Sequence, residues 1–367
     1  MADLDAGEEI EDPFNRLLPL PYKLSVVLVF GIWLWGLNVN VLHQYRIDIS
    51  SLIRSSPINA ADVFRYASTL SAPLVACIII WKAYTYHGDI LPNATLIAVL
   101  LIMFAVPHRF LYPTSFWPAA GRSRFLATFR RIALGGLARS EDGKFGDVLL
   151  ADALTSYARP LSELYIALTM MWRRQGTDSV DRSSMVAVPL LLAVPFAIRL
   201  RQCITDNQPY NALKYATAFP AILFSTLLRA ESLGAWRGLI GYLWILAALT
   251  NALYSFYWDV TCDWDLTLLT KPVGDHPYGL RAKRNFSDNA YYSMIALDLV
   301  LRFAWAFKLS PHLEHFYDIE GGIFILELLE VVRRFLWVYF RVETEWVRTK
   351  HSSDVLLGDV GPKLDED

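Results

Sequence analysis

Four charged residues interrupt an otherwise apolar and aromatic stretch, "FILELLEVVRRFLWVYF" at 324–340: Glu327, Glu330, Arg333 and Arg334. A charge at mid-bilayer costs about 2.5–3.5 kcal/mol on insertion scales, so it is rare there and faces a partner or a water-filled cavity. The pattern recurs along the chain. "YWDVTCDWD" (257–265) sets Asp259 and Asp263 four apart, on one face of a helix. "LRFAW" (301–305) places Arg302 well inside an apolar run, with Trp305 one turn later. "ALKYATAF" (212–219) carries Lys214 and Tyr215, "LLADALTS" (149–156) carries Asp152, and "IRLRQC" (198–203) carries Arg199 and Arg201.

Arginine's planar fork donates two parallel, charge-assisted hydrogen bonds to phosphate or carboxylate oxygens. Arg302, Arg333 and Arg334, with Lys214, are suited to surround a small divalent oxyanion. Asp152, Asp259, Asp263 and Glu330 would hold those cations in place and keep the empty site from excess positive charge. A plainer reading stands beside each. Glu330 precedes Arg333 by three and Arg334 by four, the spacing of an intrahelical ion pair. The two aspartates end an apolar run and could lie at the membrane surface, and Arg199, Arg201 and Lys214 could snorkel to headgroups. Trp305 by default is a packing or interface aromatic. The set is more telling than its members, because several separate segments each supply a cation, an acid or both. It points to an anion pathway in the core of a helical bundle.

The elements that must position these residues follow from composition. Of 367 residues, 54% are hydrophobic and only 19% charged, and mean hydropathy is +0.31. A soluble domain carries about a quarter charged residues. Twelve tryptophans fit rings anchored at the headgroup level. Crossing the hydrocarbon core takes roughly 20 apolar residues. Nine segments approach this: 24–43, 63–85, 90–107, 146–172, 185–203, 211–229, 236–258, 290–309 and 320–341. The fourth, sixth and ninth carry the polar residues and score poorly on hydropathy alone. The expected fold is all-α, a polytopic integral membrane protein of nine transmembrane helices. Its parts are an acidic tail (1–23), first helices with a basic cytosolic segment (24–144), a bundle carrying the charged motifs (145–346) and a polar tail (347–367).

Orientation follows lysine and arginine in the loops. Arg109, Arg122, Arg124, Arg130, Arg131, Arg139 and Lys144 fall in 108–145, and Lys271, Arg281, Lys283 and Arg284 fall in 259–289. With nine spans both lie on the side of the C-terminus. That puts the C-terminus in the cytosol and the N-terminus in a lumen, although "RRQGTDSVDR" (173–182) runs against the rule. The acidic N-terminus has no basic region before an apolar core, unlike a cleavable signal peptide. Cys77, Cys203 and Cys262 sit in or beside apolar runs, which argues against a disulfide framework. A net charge of -2 is uninformative, and nothing in the sequence suggests a nucleic-acid partner.

"FGDVLLADALTS", "RLRQC", "NALKYATAF", "YSFYWDVTCDWDL", "LRFAW" and "ELLEVVRRFLWVYFRVETEW" occur in this order over 145–346. Together they resemble the EXS family, which includes animal and plant phosphate exporters and the yeast Erd protein of ER retention. The resemblance implies a phosphate-conducting helical bundle. Its implied phosphate site is Asp152, Thr155, Arg199, Lys214, Tyr215, Asp259, Asp263, Arg302, Arg333 and Arg334, with Trp305 and Glu330 as gating neighbours. Thr155 stands where exporters often have asparagine, which keeps hydrogen bonding and shortens the reach. The large exporters also carry an N-terminal SPX domain that senses inositol pyrophosphates. Only 1–23 precede the first span here, so that regulation is expected to be absent and the chain looks like the short Erd branch. The branch implies a Golgi membrane protein that returns phosphate from lumen to cytosol and supports glycosylation, glycosyltransferase recycling and retention of luminal ER proteins.

A sorting protein without intrinsic transport is the alternative. In it the buried charges are structural, and the tail "RTKHSSDVLLGDVGPKLDED" recruits a cytosolic coat or adaptor through "DVLL", a pattern that arises often by chance. An enzyme is disfavoured. Paired aspartates could serve acid–base work, but no nucleophile motif, metal-ligand spacing or glycine-rich phosphate loop is evident. His108, His276, His312 and His315 lie in loops or just past a span, and no cofactor or metal is expected. "NAT" at Asn93 and "NFS" at Asn285 match glycosylation acceptors, but the first is close to the membrane and the second faces the cytosol in this topology. A homodimer is left open, as are channel versus carrier and phosphate versus sulfate.

Overall fold

The computed structural model describes residues 14, 17–85, 119–173, 182–229, 231–268, 278–309 and 320–358. The expected span at 90–107, most of "RRQGTDSVDR", Lys271, Asn93, His108, His276, His312, His315 and the last residues of the tail lie outside them. Among the described residues every regular element is helical. In chain order the α-helices are α1 (Leu20–Gln44), α2 (Ile49–Leu52), α3 (Ala60–Thr85), α4 (Ala119–Ala133), α5 (Lys144–Ser156), α6 (Ala158–Arg173), α7 (Arg182–Thr205), α8 (Pro209–Ala216), α9 (Ala218–Leu228), α10 (Arg237–Trp258), α11 (Asp288–Arg302) and α12 (Glu320–Gly358).

The protein is a helical membrane protein. Among the described residues four helical segments are long and apolar enough to cross a bilayer: Leu20–Gln44, Ala60–Ala83, Val186–Thr205 and Leu233–Asp263. Their outward faces are apolar, as lipid requires, with Val75 and Ile79 on α3, Val186 and Leu190 on α7, and Tyr242 and Leu246 on α10 all exposed. The other expected spans among the described residues are interrupted or charged, so the count of nine is not reproduced by length and composition. α12 is long enough, at 39 residues or roughly 58 Å. It carries charges throughout and runs without a break from the ninth expected span into the tail, through "DVLL".

The interruptions have covalent causes. The expected span at 146–172 divides at Tyr157 into α5 and α6, and the one at 211–229 divides at Thr217 into α8 and α9. Proline lacks an N–H and its ring clashes with the carbonyl four residues earlier. Pro160 and Pro220 stand four residues after Ser156 and Ala216, the last residues of α5 and α8. A third irregularity follows α10. There Asp259–Asp263 form a π-turn in which Trp264 N–H reaches back to the Asp259 carbonyl at 2.9 Å. Such turns rotate side chains off the α-helical register and recur at functional sites.

α1 and α12 make the spine. Val27 and Leu34 of α1 pack with Phe324 and Val331 of α12, while Val39 and Leu42 join Trp337, Val338 and Phe340 in the largest core. That core also takes Leu149 of α5, Val260 and Trp264 at the π-turn, and Tyr291 and Met294 of α11. α3 packs against α1 through Leu70, Leu74 and Cys77, which meet Tyr22 and Val29. α4 buries Ile132 fully and docks on α5 through Arg131, whose guanidinium is 2.7 and 2.6 Å from the Asp147 carboxylate oxygens. That hydrogen bonding raises the Arg131 pKa above its ordinary value. Lys144 is likewise tied to Asp206 at 2.5 Å, so part of the basic segment serves packing.

Candidate anion site

The interrupted helices end around one point. Thr155 and Ser156 close α5, Lys214 is in the last turn of α8, and Arg302 ends α11. A helix C-terminus carries a partial negative charge that favours a cation by about 0.3–1 kcal/mol. Lys214 and Arg302 therefore sit where the backbone already favours them. α12 passes through the middle with Glu330, Arg333 and Arg334, and α7 contributes Arg199.

Within this core every ionisable group reaches a neighbour from another element. Arg199 Nε donates to Asp152 Oδ1 at 2.7 Å, and its Nη1 to Gln202 at 2.7 Å. The Tyr215 hydroxyl donates to the same Asp152 oxygen, while the Tyr215 ring lies under both Arg199 and Lys214, at 4.9 and 5.5 Å. Lys214 Nζ bridges the two aspartates of the π-turn, 2.8 Å from Asp259 and 3.1 Å from Asp263. Arg302 pairs with Asp259 and donates to Asp298 at 2.9 Å. Arg333 grips Glu330 at 2.9 and 2.5 Å and reaches Asp298 at 3.3 Å and Asp259 at 3.7 Å. Asp259 and Asp298 are fully buried.

Arg334 differs. Its Nε donates to Ser156 Oγ and its Nη2 to Thr155 Oγ1, each at 2.9 Å, and its guanidinium stacks 4.6 Å from the Trp337 ring. No carboxylate lies within ion-pair distance of it among the described residues, although it is only 9% exposed. The Thr155 hydroxyl donates onward to the Asp152 carbonyl at 2.7 Å, and Ser156 to Glu330 at 2.7 Å. Neutral hydroxyls thus hold Arg334 in place without cancelling its charge.

The cations and acids form one continuous network. It runs from Gln202, which donates to the Gly136 carbonyl at 2.8 Å, through Asp152, Arg334, Arg333, Asp259 and Lys214 to Asp263. Asp263 also accepts from Trp337 Nε1 at 3.2 Å and lies 3.8 Å from Arg341. The charges are shared among α5, α7, α8, the π-turn, α11 and α12, and are not neutralised privately at a bilayer edge.

The EXS family matches residues 18–347. The chain belongs to that family. The EXS match begins well before 145–346, where the charged motifs concentrate, and takes in α1 and α3. Among relatives, Protein ERD1 homolog 1 of Schizosaccharomyces pombe is 32% identical over 358 residues, covering 90% of this chain and 92% of that protein. Protein ERD1 of Kluyveromyces lactis is 26% identical over 402 residues, covering 98% and 99%. Phosphate transporter PHO1 of Arabidopsis thaliana is 24% identical over 351 residues, covering 88% of this chain and 42% of that protein.

Of the residues expected in the EXS site, Asp152, Thr155, Arg199, Lys214, Tyr215, Asp259, Asp263, Arg302, Arg333 and Arg334 all belong to the network, and Glu330 joins it through Arg333. Trp305 stands apart. It packs edge-on against Trp244, with centroids 5.8 Å apart and an interplanar angle of 84°, and beside Phe303. Arg199 is 2% exposed, so it does not snorkel, whereas Arg201 is exposed as that reading requires. Asp298, Ser156, Gln202, Trp337 and Arg341 were missed in the sequence. Asp298 had a signal, because it stands four residues before Arg302 on the same helix. Ser156 and Gln202 had only adjacency to residues already singled out.

Proposed function

We propose that this chain moves inorganic phosphate across the Golgi membrane, from lumen to cytosol, without chemical change to the ion. The observation that carries the reading is Arg334, a buried cation held by two hydroxyls and an indole, with no carboxylate within ion-pair distance among the described residues. Buried charges are otherwise paired, because desolvation alone is expensive. A cation left with unspent charge inside a network of paired ones is suited to an arriving anion. A divalent phosphate reaching Arg334 would find Arg333 next in the chain, and beyond it Arg302 and Lys214, each held by carboxylates at distances a phosphate oxygen could take over.

Exchange between carboxylate and phosphate oxygens keeps the binding moderate. Conduction requires attraction strong enough to admit an ion and weak enough to release it. Paired arginines meet both needs, since each N–H given to phosphate is withdrawn from Asp259, Asp298 or Glu330. The Golgi placement and the supporting role in glycosylation and glycosyltransferase recycling rest on the resemblance to the Erd branch. The luminal N-terminus and cytosolic C-terminus rest on the lysines and arginines of the loops. The phosphate itself is supported by likeness to a relative named a phosphate transporter. The test is uptake of labelled phosphate by liposomes holding the purified protein, with sulfate as competitor. Saturable uptake above protein-free liposomes is expected, and its absence rejects the reading.

A further inference from the structure

A second polar group lies one turn along α12 from the anion site. Glu327 is 6% exposed, and its Oε1 makes no hydrogen bond. Arg159 of α6 stands 2.9 Å from that oxygen as an ion pair, and its Nε is also 3.2 Å from Glu163. Glu163 and Glu327 therefore face one another across a single guanidinium nitrogen. Among the described residues the charged groups facing them are Lys23 of α1, Arg159 on α6 itself, Arg229 at the end of α9, acting on Arg159, and Glu330 one turn along α12.

Two carboxylates sharing one cation repel when both are charged, and the repulsion is relieved when one keeps a proton. Arg159 does not remove that repulsion. Its side chain is 44% exposed, so much of its charge is spent on solvent, and it is divided between two acids.

We propose that Glu163 and Glu327 share one proton, making a proton-binding site inside the bundle next to the anion site. The proton passes to or from water on the exposed side of Arg159, and its loss leaves two facing carboxylates. Glu327 and Glu330 stand three apart on one face of α12, and Glu330 holds Arg333. Charge gained at Glu327 therefore acts directly on the carboxylate that restrains that arginine. Resting on the phosphate reading above, this makes transport responsive to protons.

The infrared carbonyl stretch of a protonated carboxyl, read on purified protein in detergent at neutral pH, tests the site without reference to transport. Wild type should show the band, and Glu327→Gln and Glu163→Gln should each lose it, with folding checked by thermal melting. Should one variant fail to fold, the other decides, and Glu327→Asp should move the band without deleting it. An identical band in wild type and in a folded variant, or no band in wild type, overturns the proposal. Liposome uptake of inorganic phosphate across a pH series provides the second arm. Wild-type flux should change with pH beyond the change set by phosphate's own titration, and Glu327→Gln should follow that titration alone, whereas parallel profiles count against the proposal. No wild-type flux with the band present rejects phosphate transport and leaves the proton site standing.

Discussion

Arg333 and Arg334 are neighbours in the chain with opposite surroundings. Arg333 has three carboxylates within 4 Å, those of Glu330, Asp298 and Asp259, whereas among the described residues Arg334 pairs with no carboxylate and is held by the hydroxyls of Thr155 and Ser156 and the Trp337 ring. One residue of rotation around α12 separates a cation that is spent from one that is not.

This difference predicts opposite mutant behaviour. Arg333→Ala strands buried acids, and removing one partner of a buried pair costs about 3–5 kcal/mol. Arg334→Ala strands no acid and should cost about 1–3 kcal/mol, the scale of its hydrogen bonds and ring contact. Thermal melting in detergent should rank Arg333→Ala well below Arg334→Ala, while phosphate uptake falls to background in both. Equal melting would mean that the pairing around Arg333 does little.

Asp298 should matter for the same reason. Fully buried, it receives Arg302 at 2.9 Å and Arg333 at 3.3 Å. Asp298→Asn keeps the shape and removes the charge, so it should lower the melting temperature and weaken uptake together. A double-mutant cycle with Arg302→Gln should show coupling on the order of 0.5–3 kcal/mol, as expected for groups in one network. Additive effects would remove Asp298 from it.

The positions of Thr155 and Ser156 depend on the close approach of α1 to Tyr157. A Cβ on Gly31 of α1 would stand 1.8 Å from the Tyr157 hydroxyl oxygen, where α5 gives way to α6. Gly31→Ala must push Tyr157 aside, which should cost about 1–3 kcal/mol as overpacking does. It should also reduce uptake by shifting the two hydroxyls. Tyr157→Phe in the same chain removes the colliding oxygen and should recover part of both. No recovery would mean the collision is relieved elsewhere.

How much of this could be read from the sequence depends on what each feature needs. Lys214, Asp259, Asp263, Arg302, Arg333 and Arg334 stand out because charge within an apolar run is costly wherever it falls. The grouping of these residues into one network could be inferred only from their number. The broken helices are another matter. Pro160 and Pro220 carry the signal, but hydropathy continues across both, so an apolar count fuses α5 with α6 and α8 with α9. Pro189 and Pro195 lie inside α7 without ending it, which is why proline alone is an unsafe guide. The special standing of Arg334 is invisible in sequence, since it depends on which face of α12 meets the end of α5.

Trp305 provides a check on the pathway's boundary. It packs on Trp244 and Phe303 and makes no hydrogen bond to the charged network. If it closes the route beyond the cations, Trp305→Ala should raise uptake with melting little changed. Unaltered uptake would confine Trp305 to packing.

The account depends on Arg334 being an anion-binding group, and an experimental density map of the protein prepared in phosphate addresses this most directly. The expected result is a tetrahedral density within hydrogen-bonding distance of the Arg334 guanidinium, absent when Arg334 is replaced by alanine. A map showing Arg334 neutralised by a carboxylate from residues 86–118, with no anion beside it, would contradict the account.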